Sequence, residues 1–317
     1  MTAAFTFPGQ GSQAVGMGKA LADAFPAARA VFEEVDGALL EKLTAIMWDG
    51  PAETLQLTQN AQPALMAVSM AALRVLETEA GFSVGRDAAF VAGHSLGEYS
   101  ALAAAGSLSI SDAARLLRTR GLAMQKAVPV GAGAMAALLG LDYEAAVAVA
   151  DEAGDGEVCQ AANDNGGGQV VVSGDKAAVD RAVEIAKGKG AKRAMLLPVS
   201  APFHCKLMQP AADVMAKALS EVTIRKPASP LVSNVLAAAI SDPDEIRRRL
   251  VEQVTGTVRW RESVAYMAAR GVTRFFEIGA GKVLSGLVKR IADGAVGVSV
   301  GGPNDITAAK DALAAAK

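Results

Sequence analysis

Five residues in the first third of the chain, Gly93-His94-Ser95-Leu96-Gly97, have the types and spacing for nucleophilic chemistry. They follow the apolar run Ala88-Ala89-Phe90-Val91-Ala92 and precede an alanine-rich stretch that reads as a helix. Between a strand and a helix, a Gly-x-Ser-x-Gly motif forms a nucleophile elbow, with glycines where the backbone bends too tightly for side chains. Ser95 is therefore the candidate nucleophile, against the alternative that the pentapeptide is plain turn punctuation. A serine hydroxyl needs a base to become reactive. The chain has two histidines, His94 and His204. His94 adjoins Ser95, and neighbouring side chains on a strand point to opposite faces. A histidine that activates Ser95 is then His204.

A third residue of interest is a cation. A helix is expected from about Ser111, a suitable N-cap ahead of Asp112. On it Ala113, Leu117, Met124 and Val128 form one apolar stripe, and Arg120 sits within that stripe while Arg118 points away. An arginine on a buried face is costly unless an anion meets it with good geometry. Three readings remain open: a structural ion pair, a snorkelling side chain, and a clamp for a substrate carboxylate. At the N-terminus, a short strand at residues 3–7 runs into Pro8-Gly9-Gln10-Gly11-Ser12-Gln13. The Lys-Ser/Thr ending of a phosphate loop is missing, so this stretch is either a plain turn or an anion-stabilising loop.

The elements that position these residues follow an α/β pattern. Residues 17–82 are mostly helical in periodicity, with breaks near Asp49-Gly50-Pro51 and Gln62-Pro63. From Gly131 the texture changes to strand 134–139, helix 142–152, strand 169–173, helix 175–188 and strand 194–199. That alternation fits a small α+β unit inserted in a larger domain. The loop Asn163-Asp164-Asn165-Gly166-Gly167-Gly168 within it is mobile or closely approached. After His204 come a helix at 206–219, a strand at 230–235, helices at 242–254 and 259–270, the strand 274–278, a helix through about Ile291, a strand at 296–300 and a helix at 303–315. A chain of 317 residues suits one large domain with a smaller one attached.

Composition excludes several roles. A net charge of −2 and 4% aromatic residues leave neither a global field for nucleic acid nor rings to stack bases on. Lys187, Lys189, Lys192 and Arg193, and likewise Lys282, Lys289 and Arg290, read as solvated faces. The longest charge-free run, residues 54–73, is interrupted by Gln56, Gln59, Asn60, Gln62 and Pro63, so no membrane span is expected. No export or import leader is visible, and Cys159 and Cys205 lack metal or disulfide spacing. A cytoplasmic protein without a metal site is expected.

Taken together, the PGQGSQ loop, the GHSLGE motif, Arg120 in RTRG, the SAPFH segment and the EIGAGKVLSGLVKR segment make the chain resemble malonyl-CoA:acyl carrier protein transacylases over essentially its whole length. An alanine stands in EIGAGK where the family usually has proline. The resemblance implies an α/β fold: a large hydrolase-like domain with a mostly parallel sheet (residues 1–129 and 200–317) and a small ferredoxin-like subdomain (130–199). It implies Ser95 as the acyl-carrying nucleophile and His204 as its base. It also implies the main-chain carbonyl of Gln253 as the group that orients the histidine, and the backbone N–H groups of Gln10 and Leu96 as the oxyanion hole. Arg120 becomes the holder of the malonyl carboxylate, and the bulk before His204 discourages branched acyl groups. Malonyl-CoA and holo acyl carrier protein would be the substrates, with no bound cofactor and a monomeric enzyme. Because the carrier protein is acidic in such systems, a local basic docking patch is expected. Two other classes remain open: a serine thioesterase or esterase with water as acceptor, and an acyl-binding protein without turnover.

Overall fold

The computed structural model describes residues 2–314, and the described strands form two sheets. The first six-stranded sheet has the order β10-β9-β1-β2-β7-β8. Its members are β1 (Thr2–Phe7), β2 (Phe90–Gly93), β7 (Leu231–Ser233), β8 (Ala238–Ile240), β9 (Val272–Ile278) and β10 (Val296–Val300). All neighbours pair in parallel except β7 and β8, which form an antiparallel edge. Central strands such as β1 are buried along nearly their whole length, as expected when helices cover both faces of a parallel sheet.

The second sheet holds β3 (Gly133–Leu139), β4 (Cys159–Asp164), β5 (Gln169–Asp175) and β6 (Arg193–Leu196), in the order β4-β5-β3-β6, all antiparallel. Helices Tyr143–Gly154 and Lys176–Gly188 complete a β-α-β-β-α-β unit, the ferredoxin-like arrangement. Its own core of Ala, Val and Leu side chains is separate from the large core around helix Thr58–Ala80.

Four local expectations differ from the structure. Helix Thr58–Ala80 runs unbroken through Pro63. The prolyl ring removes one N–H, but residues 60–73 of this helix are buried throughout, and that burial outweighs one lost hydrogen bond. The Arg120 helix spans Ile110–Ala127, and its cap is Ser109, whose hydroxyl accepts from Asp112 N at 2.9 Å; Ser111 lies one residue inside. β4 was not expected, because CQAAND carries no β-branched residue. It forms by pairing with β5 and by backbone bonds to Val258 in the segment between helices Pro243–Glu252 and Trp260–Ala268. β8 is a three-residue strand defined only by its pairing with β7.

Helix Ile110–Ala127 crosses helix Thr58–Ala80 closely, and Gly121 is the reason it can. A Cβ there would lie 2.4 Å from Gln59 Cα. Gly121→Ala is expected to destabilise the protein by about 1–3 kcal/mol through overpacking, whereas Gly37→Ala, whose Cβ would meet nothing, gains up to about 1 kcal/mol of helix propensity. Chemical denaturation midpoints of the two variants check this contrast.

Candidate functional site

β2 ends at Gly93 and helix Gly97–Ala104 begins four residues later, so the chain reverses direction over His94, Ser95 and Leu96. Ser95 sits at the apex with φ 54°, a left-handed conformation that a non-glycine residue adopts only when its surroundings enforce it. The enforcement is visible. Ser95 N donates to Asn234 Oδ1 at 2.8 Å, Asn234 Nδ2 donates to Gly93 O at 2.7 Å, and His94 N donates to Phe7 O at 3.0 Å. Gly97 has no room for a side chain, since a Cβ would come within 2.3 Å of Phe7 O.

Ser95 Oγ lies 2.7 Å from His204 Nε2, joining residues 109 apart in sequence. His204 also has a left-handed φ, 59°. Its Nδ1 faces two main-chain carbonyls, Gln253 O at 2.9 Å and Gly256 O at 3.2 Å. Carbonyls only accept, so Nδ1 carries the proton and the Nε2 lone pair faces the serine, the tautomer a general base requires. Burial, and next the positive charge of Arg120, hold the imidazole down at about 3, so it is neutral near pH 7. His94 serves a different neighbour: its Nε2 meets Asn165 Oδ1 at 2.8 Å, which ties the elbow to the β4–β5 turn.

Arg120 is 1% exposed. Nη1 donates to Gln62 Oε1 at 2.8 Å; Nη2 donates to Gln253 Oε1 at 2.8 Å and to Ser95 Oγ at 3.2 Å. No ion pair to Arg120 and no acceptor for its Nε occur among the described residues. Of the three sequence readings, the structural ion pair and the snorkelling side chain are both excluded. The guanidinium is kept dry among neutral amides beside the nucleophile, and burial depresses its affinity for the proton. Arg118 does point elsewhere, to Glu41 at 2.8 Å and Asn60 at 2.5 Å.

Ser95, His204 and Arg120 open onto one cavity of about 670 Å³. Gln10 and Leu96 line it as well, and neither backbone N–H has a hydrogen-bond partner among the described residues. Leu197 to Ser200, Met135 and Asn163 close the opposite side from the small sheet, and Phe203 adds bulk next to the histidine. An acyl group on Ser95 would thus have a base, free N–H donors and a cation around it. No cluster of His, Cys, Asp or Glu suited to a metal ion occurs among the described residues.

Several residues that shape the site were not singled out in the sequence. Gln62 lies in a stretch that showed no reactive grouping. Asn234 and the Gln253 side chain come from loops far along the chain. Glu98, in the helix that follows the elbow, is buried and accepts from Asn234 N and Gln253 Nε2. A carboxylate in the first turn of an otherwise uncharged helix is the one signal that could have pointed to it.

A general base acts unprotonated, so with His204 in that role its low affinity for the proton would set the acid limb of Ser95 reactivity. The rate of Ser95 labelling by a small neutral phosphonylating reagent should stay flat from pH 7 down through the ordinary histidine range and fall only in stronger acid. Arg120→Gln removes a charge that lowers the imidazole pKa, so in that variant the acid limb moves to higher pH.

Comparisons with known proteins agree with this geometry. Residues 4–302 match the family described as acyl transferase domain. The malonyl CoA-acyl carrier protein transacylase of Escherichia coli K12 is 47% identical over 306 residues, covering 96% of this chain and 98% of that protein. The Bacillus subtilis strain 168 protein of the same name is 47% identical over 311 residues, covering 98% and 96%. The crystal structure of acyl-carrier-protein-S-malonyltransferase from Bartonella henselae superposes with a TM-score of 0.97 at 58% identity, covering 99% of this chain and all (100%) of that one. A malonyl-transacylase in complex with a type II PKS acyl-carrier protein superposes with a TM-score of 0.94 at 42% identity, covering 98% and 100%.

Proposed function

The chain belongs to the acyl transferase domain family, and from that premise we infer that it transfers the malonyl group from malonyl-CoA to the phosphopantetheine thiol of acyl carrier protein, supplying fatty acid biosynthesis. The group passes through an ester on Ser95. His204 Nε2 takes the hydroxyl proton as Ser95 Oγ attacks the thioester carbonyl, and the N–H groups of Gln10 and Leu96 receive the developing oxyanion. The tetrahedral intermediate collapses with loss of the CoA thiolate, which takes the proton back from His204. In the second half-reaction His204 deprotonates the pantetheine thiol of the carrier protein, the thiolate attacks the malonyl ester, and Ser95 recovers its proton. The carbonyl of Gln253 holds the imidazole in the tautomer for both halves. Thioester, ester and thioester are close in energy, so the exchange needs no external driving reaction.

The observation that carries this reading is the dry guanidinium of Arg120, without a carboxylate partner and 3.2 Å from the nucleophile. A malonyl carboxylate supplies the missing anion through charge-assisted hydrogen bonds. An acetyl group leaves the cation unpaired, a penalty of roughly 1–3 kcal/mol or more. Phe203, beside the histidine, narrows the space for a branched acyl chain. On the same reading residues 1–129 and 200–317 form the catalytic domain and 130–199 the subdomain. The enzyme works as a cytoplasmic monomer and offers the acidic carrier protein a basic patch.

Incubation with malonyl-CoA in the absence of carrier protein should produce a single malonyl adduct in the intact mass, absent from Ser95→Ala and discharged on addition of holo carrier protein. An adduct that survives Ser95→Ala would sink the mechanism. Transfer to water rather than carrier protein would make the protein a thioesterase. Arg120→Ala should cut the preference for malonyl-CoA over acetyl-CoA by roughly tenfold or more, corresponding to the unpaired-charge penalty; a ratio equal to wild type removes Arg120 from the clamp.

A further inference from the structure

Glu98 occupies an unusual position for a carboxylate that touches no cation. It is 1% exposed, on the first turn of helix Gly97–Ala104. Its two oxygens are both engaged by N–H donors: Oε1 accepts from Asn234 N at 2.6 Å and Oε2 from Gln253 Nε2 at 2.5 Å. Those donors belong to the two residues that hold the reactive groups. Asn234 Oδ1 accepts from Ser95 N at 2.8 Å, Gln253 O accepts from His204 Nδ1 at 2.9 Å, and Gln253 Oε1 accepts from Arg120 Nη2 at 2.8 Å. One buried carboxylate is thus a single residue removed from nucleophile, base and cation.

The Gln253 amide is the informative link. Its oxygen faces Arg120, while its Nε2 faces Glu98 and Ser95 O, the latter at 2.8 Å. A flipped amide would turn Nε2–H against the guanidinium and its oxygen against the Glu98 carboxylate. Glu98 therefore fixes which end Arg120 meets. Both Glu98 oxygens act as acceptors here, which is what fixes the Gln253 amide. Burial outweighs the Asn234 and Gln253 hydrogen bonds and the Arg120 charge and holds the carboxyl up at about 8, so Glu98 acts on Gln253 through hydrogen-bond geometry rather than through a full negative charge. A carboxylate in direct contact with Arg120 would occupy the hydrogen-bonding fork that a substrate carboxylate needs. One placed an amide away leaves the guanidinium without a direct carboxylate partner.

We propose that Glu98 is a positioning residue for malonyl recognition: through the Gln253 side chain it fixes which end of that amide the Arg120 guanidinium meets, and so orients the guanidinium beside Ser95. This role rests on the reading of Arg120 as the malonyl clamp. The Asn234 arm keeps the elbow in register with the same carboxylate, so the nucleophile and the clamp share one anchor.

Single-turnover acylation of Ser95 by malonyl-CoA and by acetyl-CoA, followed by intact mass, tests it in wild type, Glu98→Gln, Gln253→Met and the double variant. The malonyl-to-acetyl rate ratio should fall by about tenfold or more in Glu98→Gln and in Gln253→Met, and the double variant should fall no further than the worse single, because both act through one relay. Gln253→Met keeps the main-chain carbonyl that His204 needs. An unchanged ratio in Glu98→Gln, or equal loss with both substrates, overturns the proposal, since a purely structural role lowers both rates together. If Glu98→Gln does not fold, an unchanged ratio in Gln253→Met overturns it equally. A wild-type ratio near one would overturn the clamp itself, and the role of Glu98 with it.

Discussion

Arg120 carries a guanidinium into a pocket where 1% of the residue is exposed and where no carboxylate meets it. A buried cation of this kind is costly, and the cost is offset by the groups packed around it. Gln62 and Gln253 accept from it, Tyr99 places its ring 5.8 Å away, and Glu98 fixes the Gln253 amide from behind. These groups come from three segments, so the cation draws together helix Thr58–Ala80, the elbow helix and the turn after helix Pro243–Glu252. The close crossing at Gly121 is part of the same arrangement, because it brings Gln62 within reach.

The same cation conditions the chemistry beside it. Its charge, added to burial, keeps His204 neutral, and its Nη2 donates to the Ser95 hydroxyl that His204 Nε2 also meets. His204 and Ser95 both sit in left-handed backbone conformations, held by hydrogen bonds to Asn234, Gln253 and Gly256 rather than by local preference. Conformational strain at the two reacting residues is thus maintained by polar groups from distant loops, which leaves the serine exposed to the cavity with its partner already aligned.

Much of the fold was legible because its signals are local. Apolar runs bounded by glycine marked β1, β2, β5 and β9, and helical periodicity marked the long helices. β4 was not legible: CQAAND has no strand-forming residues, and its conformation comes from pairing with β5 and Val258. Pro63 carried a strong local signal for a break, which burial of the surrounding helix overrode. At the site, Ser95 was readable from the elbow motif and His204 by elimination, since a second candidate histidine was ruled out by its direction. Arg120 was flagged by its place in an apolar stripe, but its lack of a counter-ion was not readable there.

By itself the sequence determined the kinds of chemistry available: one serine on a tight turn, one usable histidine and one arginine placed to be buried. These follow from residue type and short-range spacing, which the local geometry of strand, turn and helix translates directly. Only the tertiary structure decided that the arginine meets amides instead of a carboxylate, that the histidine is oriented by two carbonyls, and that Glu98 connects to all three reactive groups. Those facts depend on contacts between residues such as Ser95 and Gln253, 158 positions apart. Amide and carboxylate side chains at such separations carry no periodic signal, so their roles exist only once the sheet has brought the ends of β2 and β7 together.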